Sequence, residues 1–122
     1  MPIAARAHHT SFPVCDLEAA RVFYQDVLGL EPIPRPDLGI GGLWFRAGAC
    51  EVHLIELLEG IDVGTPPPGC NPMARHAAFA VDDYDETVAH LQDHGLDVVE
   101  SEASGQCWVQ DPDGHVIELI VA

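Results

Sequence analysis

The chain is predicted to be α+β, built from two tandem modules that each run strand, helix, three strands. Two observations carry this. The first is order: runs with strand alternation and runs with helical spacing follow the same succession in residues 7–58 and 75–121. The second is residue identity. His9, Phe12, Val14 and Asp16 recur as His76, Phe79, Val81 and Asp83 at an offset of 67, and Gln25-Asp26 recurs as Gln92-Asp93 at the same offset. Gly29 recurs as Gly95, and Trp44 as Trp108, at slightly smaller offsets. An ordered series of this kind marks an internal duplication. Residues 59–74, with three consecutive prolines and several glycines, form the linker between the modules. At 122 residues the pair makes one domain, 1–122, with a real core.

In the first module, residues 7–14 read as a strand, with Pro13 pointing to an edge position or a strand end. Asp16 caps a helix whose apolar stripe is Leu17, Ala20, Tyr24, Val27 and Leu28, and Gly29 ends it. One short strand is expected near 31–35. Residues 43–47 and 51–58 are two strands joined by a tight turn around Gly48. In the second module, residues 75–81 read as a strand. Asp83 caps a helix, with Glu86 placed as in a capping box and a stripe of Tyr84, Val88 and Leu91 ended by Gly95. Strands follow near 97–101, 106–110 and 115–121. The last begins after an Asp111-Pro112-Asp113-Gly114 turn and carries Glu118 among branched apolar residues. Taken alone it reads equally as an edge strand with Glu118 in water or as a strand whose buried carboxylate is paired or holds a metal, since a lone buried charge is costly.

Composition narrows the function classes. Asp and Glu number 20 against 5 basic residues, all Arg, for a net charge of −15. No basic patch is possible, which argues against nucleic acid and anionic membranes as partners. The absence of Lys excludes a lysine Schiff base. No apolar run is long enough to span a membrane, and residues 1–6 do not read as a signal peptide, so cytoplasmic residence is expected. The four Cys (15, 50, 70 and 107) have neither zinc-finger nor disulfide-scaffold spacing and are expected to be free thiols, mostly buried.

The duplication singles out particular His residues. His9 and His76 hold the same place in both repeats, and pseudo-symmetry sets them opposite each other. With Glu118 they form a transition-metal ligand set of two His and one carboxylate. The symmetric partner of Glu118 is expected at His53, at an offset of 65, or alternatively at Glu56, at an offset of 62. The running offset of 64 at the Trp pair favours His53. His8 is expected to face away from His9. His90 and His94, at i,i+4, could bind metal but read better as a solvated helix face. His115 is expected to be exposed, with Cys50 and Cys107 as packing.

The two repeats, the His9-Thr-x-Phe-x-Val-x-Asp-Leu segment, Phe23-Tyr24-x-x-Val27-Leu28-Gly29-Leu30, and Asp111-Pro-Asp-Gly-x-x-Ile-Glu118-Leu resemble the glyoxalase I/bleomycin-resistance/extradiol-dioxygenase (vicinal oxygen chelate) superfamily over essentially the whole chain. The resemblance implies paired βαβββ modules forming a U-shaped, partly open mixed sheet around a metal, with the helices outside. It implies His9, His76 and Glu118 as ligands. Glu56 matches the fourth ligand of glyoxalases, while similar members carry a His-Leu-Ile-Glu segment like 53–56. Bacterial glyoxalase I has an Arg implicated in glutathione binding four residues after the first His. Here that position is Pro13, which argues against a glutathione substrate.

A divalent ion such as zinc, nickel, cobalt, iron or manganese, chelating two neighbouring oxygens of a small-molecule substrate, acts as a Lewis acid. Glu118 (or Glu56) beside it can move a proton between adjacent carbons as general base and acid. The leading expectation is a metal-dependent lyase or isomerase of glyoxalase I type. A second is a metal-free, bleomycin-resistance-type binding protein in which Trp44, Trp108, Phe45 and Tyr24 line a groove for a cationic drug. An extradiol dioxygenase ranks last, because two-domain forms are much longer. A thiol transferase acting on an antibiotic also fits the metal set, although scarce basic residues count against a phosphonate. The linker length suggests a homodimer with shared sites.

Overall fold

The computed structural model describes residues 2–122, which divide into two compact units, 2–63 and Gly64–Ala122. The division falls within the proline-rich segment 59–74, which holds no strand or helix. Each unit carries a four-stranded mixed sheet with one helical segment, as tandem βαβββ modules require.

The first module comprises β1 (His9–Val14), α1 (Leu17–Arg21), β2 (Glu31–Ile33), β3 (Gly42–Ala47) and β4 (Cys50–Glu56). Its strand order is β1-β4-β3-β2, with β1 parallel to β4 and the other pairs antiparallel. Pro13 lies on β1 at the edge of this sheet, where a missing N–H is tolerated. Asp16 accepts the Ala19 N–H at 3.0 Å and starts α1. After Arg21 the helix widens into a π-helical segment, Val22–Val27, in which Leu28 N–H reaches the carbonyl of Phe23 at 2.9 Å. Twelve residues separate Asp16 from Gly29, against eleven between Asp83 and Gly95. The π segment absorbs that extra residue. Its wider winding also turns Phe23 inward beside Tyr24, so the buried stripe is Ala20, Phe23 and Tyr24, while Leu17, Val27 and Leu28 are half-buried. These side chains pack with Val14, Phe45, Val52 and Leu54 to form the core of the module.

The second module comprises β5 (His76–Val81), α2 (Tyr84–Asp93), β6 (Val99–Ser101), β7 (Gln106–Gln110) and β8 (Val116–Val121), in the order β5-β8-β7-β6. A 3₁₀ turn, Glu102–Ser104, that sequence pattern did not anticipate leads from β6 towards β7. Asp83 accepts the Glu86 N–H at 2.9 Å, forming its half of the capping box. At the other end Gly95, at φ 76°, closes a Schellman motif: its N–H bonds Gln92 at 2.9 Å and Leu96 N–H bonds Leu91 at 3.2 Å. Val88 and Leu91 bury the inner face of α2, which packs against β8.

β8 is an interior strand between β5 and β7, not an edge, and Val116, Ile117, Glu118 and Leu119 are all buried. The edge reading failed because alternation along one strand carries no information on how many neighbours that strand has. The preceding turn is held by Asp111, whose Oδ1 accepts the N–H groups of Asp113 (2.9 Å) and His115 (2.8 Å). Gly114, at φ 88°, cannot carry a side chain, since a Cβ would stand 2.8 Å from Pro66. Among the thiols only Cys107 is buried; Cys15 is exposed and Cys50 and Cys70 are half-buried, so the expectation of mostly buried cysteines is corrected.

Replacing the cap in Asp83→Ala is expected to lower stability by about 1 kcal/mol. Urea denaturation checks this, and an unchanged midpoint would show that α2 does not depend on its cap.

Candidate functional site

The two modules repeat one local arrangement. In the second, β8 sets Glu118 opposite Trp108 on β7 and opposite Ala78 on β5, two residues on from His76. In the first, β4 sets His53 opposite Trp44 on β3 and opposite Ser11 on β1, two residues on from His9. Strand register therefore equates His53 with Glu118 and pairs each with a Trp and a first-strand His. Glu56, opposite Val14, instead corresponds to Val121, opposite Val81, and is exposed at the strand end.

Glu118 is 6% exposed, so its oxygens must find donors within the fold. Trp108 Nε1–H donates to Oε1 at 2.9 Å, and Gln106 Nε2 donates to Oε2 at 3.3 Å. Nε2 of His76 lies 3.1 Å from Oε1, and the other ring nitrogen, Nδ1, lies 2.7 Å from the carbonyl oxygen of Ala74. A carbonyl only accepts, so Nδ1 carries a proton; Nε2 donates to the carboxylate when the ring is charged and turns its lone pair there when the ring is neutral. In the neutral ring both groups are acceptors and can share a cation, and a backbone carbonyl on Nδ1 is the usual orienting partner of a metal-ligating His. The His76–Glu118 pair thus fits a divalent metal by its donor chemistry.

In the first module the same positions form a stack. The His53 ring lies 4.2 Å from Trp44 with an interplanar angle of 7°, and 3.9 Å from His9 at 18°. His53 Nε2 lies 2.9 Å from Oε1 of Glu51, a residue that pattern reading did not select. Its signal was present in the sequence: Glu51 and His53 are two apart on one strand and share a face. Glu51 is held below the usual carboxylate range, first by the hydrogen bond with His53, against desolvation, with the His53, His8 and Arg46 charges adding to it. His9 is held below the ordinary imidazole value by desolvation and then by its His53 and His8 neighbours, with Glu51 opposing. A lowered value keeps His9 neutral near pH 7, the form that binds metal.

His8 does not face away. Its Nδ1 lies 2.8 Å from Nδ1 of His9 and the rings meet edge-on, because β1 begins at His9 and the alternation rule does not extend to the residue before it. Tyr24 and Phe45, offered as groove residues, are fully buried in the core of the first module, Trp108 is 7% exposed, and Trp44 is half-buried against His53. Tyr24 and Phe45 are therefore core residues and do not line a groove. His90 and His94 are exposed with ring centroids 4.5 Å apart, and His115 is half-buried. The structure thus brings His9 together with His53, and His76 together with Glu118. Among the described residues no group of three or more His, Cys, Asp or Glu side chains is gathered in a metal-holding cluster.

Removing the indole donor in Trp108→Phe leaves a buried oxygen of Glu118 short of a partner. A loss of about 1–3 kcal/mol is expected. Chemical denaturation measures it, and a variant as stable as wild type would mean that Glu118 does not need this bond.

Residues 6–119 match the family model described as Glyoxalase/Bleomycin resistance protein/Dioxygenase superfamily. Among curated proteins the chain is 29% identical over 119 residues to Glyoxylase I 4 of Arabidopsis thaliana, covering 92% of this chain and 68% of that protein. It is also 29% identical over 106 residues to the mitochondrial methylmalonyl-CoA epimerase of Bos taurus, covering 80% of this chain but only 59% of the epimerase. Among solved structures, a protein from Bacillus anthracis assigned to the glyoxalase family superposes with a TM-score of 0.77 at 28% identity, covering 98% of this chain and 96% of the other.

Proposed function

The chain belongs to the glyoxalase/bleomycin resistance protein/dioxygenase superfamily, and we propose that within it this protein is a metal-dependent lyase or isomerase of glyoxalase I type acting on a small oxygenated metabolite. The observation that carries this reading is the repeated arrangement of first-strand His and last-strand donor, His9 with His53 and His76 with Glu118. His9, His53, His76 and Glu118 are the proposed ligands of one divalent cation. Three imidazoles and a carboxylate suit zinc, nickel, cobalt, iron or manganese. When bound, the cation supplies Lewis-acid chemistry to a substrate with two neighbouring oxygens. Glu56 drops behind His53, because register places it at the exposed end of β4. Similarity to proteins named as a glyoxylase I and an epimerase supports the reaction class.

Glu118 is the proposed general base and acid. Its Oε1 is anchored by Trp108, while Oε2 accepts only the longer bond from Gln106. Oε2 is therefore the oxygen placed to take a proton from a carbon beside a carbonyl and return it to the adjacent carbon, with no net gain or loss of protons. The carboxylate is 6% exposed, which limits the access of competing water.

The wild-type protein is expected to bind zinc or nickel and to melt at higher temperature when loaded. Glu118→Gln should abolish turnover and weaken metal binding. His53→Ala should weaken it about 10–100-fold, while Glu56→Ala leaves it near wild type. Full activity in Glu118→Gln, or no metal in purified wild type by elemental analysis together with no thermal shift, defeats the assignment.

The same reading takes the protein to be a cytoplasmic homodimer. The first module exposes Ile55 and Leu58, and the linker exposes Ile61 and Val63, which a second copy would cover. Light scattering on the purified protein is expected to give twice the chain mass, and a monomer across micromolar concentrations removes the dimer.

A further inference from the structure

Resting on the reading of His53 as a metal ligand, we propose that Glu51 is a positioning residue. It holds His53 as the Nε2–H tautomer, so that Nδ1 is the nitrogen the ring presents to a metal. Stacking between Trp44 and His9 fixes the plane of the His53 ring but not which nitrogen carries the proton. The hydrogen bond does. Glu51 Oε1 lies 2.9 Å from Nε2, and a carboxylate only accepts, so Nε2 carries the hydrogen and the lone pair sits on Nδ1. Strand geometry permits the contact, since the two residues are neighbours on one face of β4. Arg46 stands opposite Glu51 on β3 and favours its charged, acceptor-only form.

Comparison between the modules explains why this position carries a carboxylate in one module only. The register counterpart of Glu51 is Val116, opposite His76 as Glu51 is opposite His9. In the second module the last-strand donor is Glu118, an acceptor, and it is held by the N–H groups of Trp108 and Gln106. In the first module the donor is His53, an imidazole, and it is held by an acceptor, Glu51. The counterpart of Gln106 there is Gly42, opposite Ile55 as Gln106 is opposite Ile120. The holder changed polarity together with the group it holds. The two modules consequently present opposite ring nitrogens: His76, tied through Nδ1 to Ala74, offers Nε2, whereas His53 offers Nδ1.

The test is ¹⁵N–¹H correlation of the histidine rings in the full-length, metal-free protein at about pH 8.5, where imidazoles are neutral. Loss of one signal set in His53→Gln assigns the ring. Wild-type His53 is expected as Nε2–H. In Glu51→Ala the Nδ1–H form should gain population, and zinc affinity measured by chelator competition should fall about 10–100-fold. Glu51→Gln keeps an acceptor oxygen and should restore both. Wild-type His53 found as Nδ1–H, or an unchanged tautomer in Glu51→Ala, overturns the role of Glu51 whatever the metal does. Wild type that holds His53 as Nε2–H but binds no zinc leaves the role intact and defeats the metal reading instead.

Discussion

A carboxylate inside a strand of branched apolar residues is the constraint on which the second module depends. Left without donors, Glu118 would cost several kilocalories per mole, more than most single contacts return. Its partners come from both neighbouring strands: Trp108 and Gln106 from β7, His76 from β5. A slip of β8 by one residue against either neighbour would turn Glu118 to the opposite face and break all three contacts. Glu118 thus specifies the register of the sheet.

The first module shows what duplication preserved and what it let go. Register survived: Trp44, His53 and His9 stand as Trp108, Glu118 and His76 do. The capping aspartates survived too: each accepts an N–H of the first helical turn, which has no partner within the helix. The forces holding the site diverged. Hydrogen bonds onto a carboxylate in one module became ring stacking in the other, with a carboxylate moved one position along the face to meet the imidazole. An added residue in the first helix was absorbed as π winding, which kept Gly29 at the helix end and left the following strands in place.

Several features were legible because they are local. Asp16 and Asp83 announce helix starts through contacts three residues away, and Gly95 announces a stop through a conformation it adopts cheaply. The ligand candidates were legible through repetition, which stands in for contacts that pattern alone cannot show. Glu51 was missed because its role is defined by the residue beside it: it has no repeat partner, its counterpart being Val116. Phe23 was missed because a 3.6-residue period does not describe a π segment. Tyr24 and Phe45 were assigned to a groove because aromatic composition does not distinguish a core from a wall.

By itself the sequence determined the βαβββ order, the duplication, the helix caps and the short set of His and Glu from which the proposed ligands are drawn. All of these follow from interactions within a few residues or from likeness between the halves. Only the tertiary structure decided that β8 is an interior strand, that Glu118 is buried and anchored by Trp108, and that His53 rather than Glu56 occupies the matching place. Those are properties of strand pairing. Which residue stands opposite which is set when β1 meets β4 and β5 meets β8 across some forty residues of chain, and no local preference encodes that meeting.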